Sequence, residues 1–261
     1  MKLSHKIYLK YLSVLILGLA YAEIPAQKLR IMTYNIHHGA DRNGVNTVDS
    51  IGYFIKSQSP DIVGLQEVDS VCTRSGRVDQ MKRLAEITGM HYAFIQHFPY
   101  QGGSYGLGVL SKYPIVNTER KKLKLLKPGQ NGDSVSMLFA TIAVSRKKKI
   151  LFVTAHYSAY DQATRDSQVT ETFRYLDEYH LPVILTGDLN ATPDNPVISR
   201  LTERLRNVDP SSKFTFPDDV PSKAIDYILV SPGHLKKVTN VTVPVVHHSD
   251  HRPLSADIQL K

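Results

Sequence analysis

The sequence predicts a mixed α/β protein in which two β-sheets pack face to face with helices outside them. Three observations carry that expectation. Ten apolar runs of strand length, rich in Val, Ile, Thr and Tyr, are separated by turn residues. Four segments repeat their apolar residues at helical spacing. Ten strands are also too many for one strongly twisted sheet, so they divide between two.

The elements follow in order. A strand over 29–36 ends in Asn35. A helix is predicted over 48–57, where Val48, Ile51 and Ile55 share one face and Thr47 stands ready to cap the start. Next come a strand over 62–66, a helix over 78–88 and strands over 92–96 and 107–111, the last two flanking a turn at Gly102 and Gly103. Strands over 137–144 and 150–156 read as a hairpin turning at 145–149. A helix over 162–178 gathers Val169, Phe173 and Leu176 on one face. A strand over 183–186, a helix over 196–205 and strands over 224–230, 238–245 and 254–260 complete the chain. The strand–helix–strand passages 29–66 and 150–186 imply parallel pairs. No repeat or linker splits the chain, so 23–261 is expected to be one domain.

The 261 residues carry 32 Lys+Arg against 24 Asp+Glu, are 42% hydrophobic and 21% charged, and include one Cys and no Trp. These proportions exclude a disordered chain, a collagen-like fibre and a multi-span membrane protein. The lone Cys72 excludes a disulfide framework and any multi-cysteine metal or iron–sulfur site. Lys2, Lys6 and Lys10 precede a short apolar run over 11–20, and Ala20-Tyr21-Ala22 supplies small residues where a signal peptidase cuts. The run is shorter than the roughly 20 residues a membrane span needs. Residues 1–22 are therefore expected to be a secretory signal, with an uncleaved anchor as the alternative. No cysteine lies near the cut to carry lipid. Cleavage leaves 239 of the 261 residues, lowers the formal charge from +8 to +5 because three lysines leave, and sends the protein to the periplasm or the exterior.

The polar residues at the strand ends carry the chemistry. Asn35 ends the first strand and Glu67 the second. His156 ends the hairpin strand, and Asp188 and Asn190 follow the strand over 183–186. Asp226 adjoins Tyr227-Ile228-Leu229, and Ser249-Asp250-His251 leads into the final strand. One such residue is most simply a turn or cap residue. Six groups, all acid, amide or imidazole, suit a hard divalent cation such as Mg²⁺ or Mn²⁺. With imidazoles beside them, they form the set needed to attack a phosphorus ester with water.

TYNI, LQE, TAH, GDLNATP, IDYI and SDHRPL, in that order, resemble the endonuclease/exonuclease/phosphatase superfamily related to deoxyribonuclease I and exonuclease III. The resemblance implies a four-layer sandwich with the active site at one edge of two mixed sheets. It implies Glu67, Asn35 and Asp250 on the metal side and Asp188 as the group that prepares water. Asn190 is its amide partner, His251 contacts phosphate with Asp226 behind it, and His156 is a proton donor to the leaving oxygen. Val78-Asp79-Gln80 and the segment 102–111 are similar to compact, often exported bacterial members, which favours a lipid headgroup or another small phosphodiester. Tyr105 and Arg165 are candidate substrate contacts.

A nonspecific nuclease is the alternative, supported by the basic clusters RKKLKLLK at 120–127 and Arg146-Lys147-Lys148-Lys149, which otherwise read as solvated hairpin ends. The absence of tryptophan and the run Ile36-His37-His38-Gly39 after Asn35 depart from the abasic-site repair members. A zinc site from His37, His38, His247, His248 and His251 is a rival metal reading, and an inactive binding module is a rival class. No stable protein partner is implied, and a monomer is expected.

Overall fold

In the computed structural model, residues 28–129 and 132–261 are described, so the signal-sequence expectation over 1–22 lies outside the described residues. Two six-stranded sheets face each other, each flanked outside by two helices. The first sheet holds β1 (Lys28–Asn35), β2 (Ile62–Ser70), β3 (His91–Tyr100), β4 (Gly103–Ser111), β11 (Leu235–Thr242) and β12 (Leu254–Leu260). Its order is β11-β12-β1-β2-β4-β3. The second holds β5 (Ile115–Gly129), β6 (Gly132–Ala143), β7 (Lys149–His156), β8 (Val183–Asp188), β9 (Arg206–Asn207) and β10 (Asp226–Val230), in the order β5-β6-β7-β8-β10-β9. Among the described residues, no helix is long and apolar enough to cross a membrane.

Three apolar layers separate the four structural ones. Helices α1 (Val48–Gln58) and α2 (Gln80–Thr88) press Ile51, Ile55 and Leu84 onto Met32, Val63 and Leu65 of the first sheet. Between the sheets lie Ile31, Ile62, Phe152, Ile184 and Ile228. Helices α3 (Gln162–Leu176) and α4 (Pro196–Arg204) cover the second sheet with Val169, Val197 and Leu201. Each large aliphatic side chain buried this way contributes roughly 1.5–3 kcal/mol. This is the double-sheet sandwich expected from the strand count, and β1–β2 and β7–β8 are the two expected parallel pairs.

Several local readings are corrected. The basic run 120–127 is not a hairpin end but part of β5, the edge strand of the second sheet, with Leu123 turned inward and Arg120, Lys122 and Lys124 exposed. Charge on an edge strand blocks pairing with other chains, so composition there misleads. Thr47 precedes α1, but its hydroxyl donates to the His248 carbonyl; Asn46 Oδ1 receives the Val48 N–H instead. Asp79, not Val78, starts α2, accepting from Lys82 N. The strands expected over 224–230 and 238–245 run over Asp226–Val230 and Leu235–Thr242, with loops over 208–225 and 243–253 beside them. Gly102, at φ +77°, makes the β3–β4 turn with Gln101, while a Cβ at Gly103 would strike the Ser70 carbonyl. Cys72 is buried and its thiol donates to the Tyr100 carbonyl at 3.2 Å.

Candidate active site

The site is built by side-chain alternation. Successive residues of a strand face opposite sides, and β1, β7 and β8 each read apolar, then hydroxyl, then amide, imidazole or carboxylate along the inward face. In β1 the row is Ile31, Thr33, Asn35; in β7 it is Phe152, Thr154, His156; in β8 it is Ile184, Thr186, Asp188. Register aligns the ends, with His156 opposite Asp188 and Asp188 opposite Asp226 on β10. The hydroxyl–amide tier is buried and internally paired: Gln66 Nε2 donates to Thr154 Oγ1 at 2.8 Å and Thr33 Oγ1 to Gln66 Oε1 at 3.3 Å.

Glu67 breaks the alternation. Strict parity would turn it toward α1. A register shift in the β2–β4 ladder between Leu65 and Val68 makes a bulge there, and Glu67 takes φ +58°. The bulge re-aims the side chain, the common use of such a defect. Asn35 Nδ2 then donates to Glu67 Oε1 and to Asp188 Oδ2, 3.1 Å each. Two carboxylates sharing one amide nitrogen lie at most roughly 6 Å apart, where like charges repel by about 3 kcal/mol at an effective dielectric near 20. A hydrogen bond to a charged group returns about 1.5–3 kcal/mol. Asn35 therefore only balances the pair, and an oxygen set of this kind suits a divalent cation.

Asp188 is buried, and burial with the neighbouring Asp226 raises its pKa. Its Oδ1 accepts from Asn190 N at 3.0 Å. Asn190 does not continue the strand beyond Asp188 but turns at φ +47° with its Nδ2 donating to the Tyr157 carbonyl at 3.0 Å. The Nε2 atoms of His156 and His251 lie 3.7 and 3.6 Å from Asp188 Oδ2. His251 Nδ1 meets Asp226 Oδ2 at 2.9 Å, and Thr215 Oγ1 donates to the same oxygen at 2.6 Å. Burial works against charge on His251, but Asp226, Asp188 and Asp250 outweigh it and raise its pKa to about 10. Burial likewise opposes charge on Glu67, yet His156, Asn35, His251 and His37 hold its carboxyl below the ordinary value.

The structure thus brings Asn35, Glu67, His156, Asp188, Asn190, Asp226, Asp250 and His251 to one rim. Most of them line a single cavity of about 740 Å³, and Tyr105 stands in its wall. Arg165 is not part of that wall: its guanidinium donates to the Ser158 carbonyl and Gln162 Oε1. Among the described residues, the acidic and imidazole ligand atoms that cluster tightly belong to Asp188, Asp226 and His251, within 4.8 Å of one another. Asp226 Oδ2 is already taken by His251 Nδ1 and Thr215 Oγ1, so Glu67 with Asn35 is the better metal side. The five histidines do not gather into one ligand set: His37 packs on His38, His247 pairs with Asp218, His248 packs on Phe54, and of the five only His251 belongs to the tight cluster. Sequence reasoning missed Thr215 and Phe216, whose ring lies 4.7 Å from that of His251, and Ser249, whose hydroxyl donates to the Asn35 carbonyl. Ser249 sits inside a motif that signalled it; the other two carry no local signal.

Residues 32–251 match the Endonuclease/Exonuclease/phosphatase family. The chain belongs to that family. Endonuclease/exonuclease/phosphatase enzymes are divalent-metal-dependent phosphoester hydrolases, and this chain is an enzyme of that class. It is 25% identical over 247 residues to the uncharacterized protein YbhP of Escherichia coli K12, covering 88% of this chain and 96% of that one. Its fold is similar to the mannosyl-6-phosphatase of Bacteroides thetaiotaomicron VPI-5482, with TM-score 0.69, 18% identity and coverage of 88% and 99%. It is also similar to the human Nocturnin catalytic domain with bound sulfate, with TM-score 0.72, 19% identity and coverage of 90% and 94%.

Proposed function

We propose that the chain is an exported Mg²⁺- or Mn²⁺-dependent phosphodiesterase acting on a lipid headgroup or another small phosphodiester, in the periplasm or outside the cell. The observation that carries the reading is Asn35 spanning Glu67 and Asp188 beneath a cavity of about 740 Å³. Glu67, Asn35 and Asp250 would hold the cation, whose chemistry is to polarise a phosphoryl oxygen and offset charge in the transition state. Asp188, its proton affinity raised by burial, accepts the proton of the attacking water. His251 donates to a phosphoryl oxygen while Asp226 fixes its ring. His156 protonates the leaving oxygen, and Asn190 braces the loop beside it. Hydrolysis of bis-p-nitrophenyl phosphate with Mg²⁺ or Mn²⁺, abolished by a chelator, tests the reading; turnover that survives chelation overturns it. The exposed Arg120, Lys122 and Lys124 beside Leu125 of the cavity wall favour a nuclease as the second reading. Plasmid nicking at low salt, faster than diester turnover, would select it.

A further inference from the structure

Beside the charged rim, the part of the cavity wall formed by β3 and β4 has a chemistry of its own. In β3 the inward row runs Ala93, Ile95, His97, and in β4 it runs Val109, Leu107, Tyr105. A register shift between Gln96 and Phe98 bulges β3 at His97 and brings Phe98 opposite Tyr105, their rings stacked with centroids 5.2 Å apart. Arg74, forked onto Asp69, holds Tyr105 from behind, its guanidinium 5.5 Å from the ring centre.

His97 bridges the two sheets. The Ser136 backbone N–H of β6 donates to its Nδ1 at 2.8 Å. A backbone N–H can only donate, so Nδ1 carries no proton and the neutral ring carries it on Nε2. That Nε2 is buried and has no partner among the described residues, although the imidazole lines the cavity. Burial above all, helped by His156 and Arg120, lowers the His97 pKa to about 3. The ring is therefore uncharged at any working pH. An unpaired buried N–H costs about 1–3 kcal/mol, so the cavity retains a donor in need of an acceptor. Beside it, Tyr105 stays neutral because burial raises its pKa well above the ordinary value. Leu125 and Val135 complete the patch.

We infer that His97, Phe98 and Tyr105 form a subsite for an uncharged polyol substituent of the phosphoester, with His97 Nε2–H donating to one of its hydroxyl oxygens. The inference deepens the phosphodiesterase reading and rests on it. The nearest cations are already engaged, Arg74 forked onto Asp69 and Arg120 donating to the Gln96 carbonyl, and a bare alkyl group leaves the donor unpaired. A polyol satisfies the donor and lays its C–H face on the stacked rings.

Three p-nitrophenyl phosphodiesters test this: one carrying glycerol, one glucose, and one n-propanol, which offers no free hydroxyl. The wild-type protein is expected to favour a polyol diester over the propyl diester by about tenfold or more in kcat/KM. Whichever polyol is preferred tells a headgroup-like glycerol from a sugar ring. In His97→Phe the preference falls to within about threefold of unity. If that variant does not fold because Ser136 N–H loses its acceptor, His97→Asn carries the test, since its shorter amide still meets that N–H. Equal rates on all three probes in the wild type, or an undiminished preference in the variants, overturn the inference. A second readout is independent of turnover. In ¹⁵N-histidine-labelled protein with chelator present, the His97 Nε2–H signal is expected to move with the glycerol or glucose probe and not with the propyl probe. An unmoved signal, or equal movement with all three, overturns the subsite, whereas absence of hydrolysis alone overturns only the phosphodiesterase reading.

Discussion

Asn35 illustrates how much chemistry one neutral side chain can organise. Its amide nitrogen serves Glu67 and Asp188 while its oxygen accepts the His37 N–H at 3.1 Å. Asp188, raised by burial and by Asp226, sits within reach of two imidazoles. Asp188→Ala and His251→Ala are each expected to lower kcat on bis-p-nitrophenyl phosphate by about 10²–10³ with the fold intact. Near-full activity in either variant, checked beside an unchanged circular dichroism spectrum, would remove that residue from the reaction. These residues were readable because each ends an apolar run as a polar group that burial would otherwise penalise. Thr215 and His97 were not. Thr215 joins the site through an oxygen of Asp226, and His97 is set in place by a backbone N–H on the other sheet.

Strand alternation explains both what was legible and what was not. The inward rows of β1, β7 and β8 can be traced in the sequence as period-two series that end in a charged or amide residue. The bulge at Glu67 cannot, because it depends on how many residues of β4 oppose it. Strand β5 was illegible for another reason: its charges protect an edge, and nothing local distinguishes that from a solvated loop. The sheets come close where Gly64 of β2 faces β8. A Cβ there would stand 2.2 Å from Thr186 Oγ1 and 3.1 Å from Thr154 Oγ1. Gly64→Ala is expected to lower stability by about 1–3 kcal/mol through overpacking. Adding Thr186→Ala removes the nearest clash, so the double variant should recover most of that loss in urea unfolding. Strictly additive losses would place the strain elsewhere.

The four layers were foreseeable because strand number and helical faces are local properties, whereas strand order is set by contacts distant in sequence. One such contact ties β1, β11 and β12. Asp257, 2% exposed, accepts from Arg30 Nε at 2.8 Å and Asn240 Nδ2 at 2.7 Å, with Lys28 Nζ at 3.1 Å. The Arg30 hydrogen bond first, then Asn240 and Lys28, hold its carboxyl well below the ordinary value despite burial. The unfolded chain therefore takes up this proton at higher pH than the folded protein does. The stabilisation is complete above about pH 4–5 and is lost as pH falls through the depressed folded value. Asp257→Asn should be less stable at neutral pH and lose stability less steeply on acidification; urea-unfolding curves parallel to wild type between pH 7 and pH 2 would contradict this.

Strand β12 occupies the middle of its sheet, between β1 and β11, and the loop just before it supplies Asp250 and His251. A polypeptide emerging amino end first displays Glu67 and Asp188 well before β12 can join β1. Until it does, β1 has a bare flank and the imidazole that faces Asp188 has no fixed seat. The site is therefore complete only when β12 stands between β1 and β11.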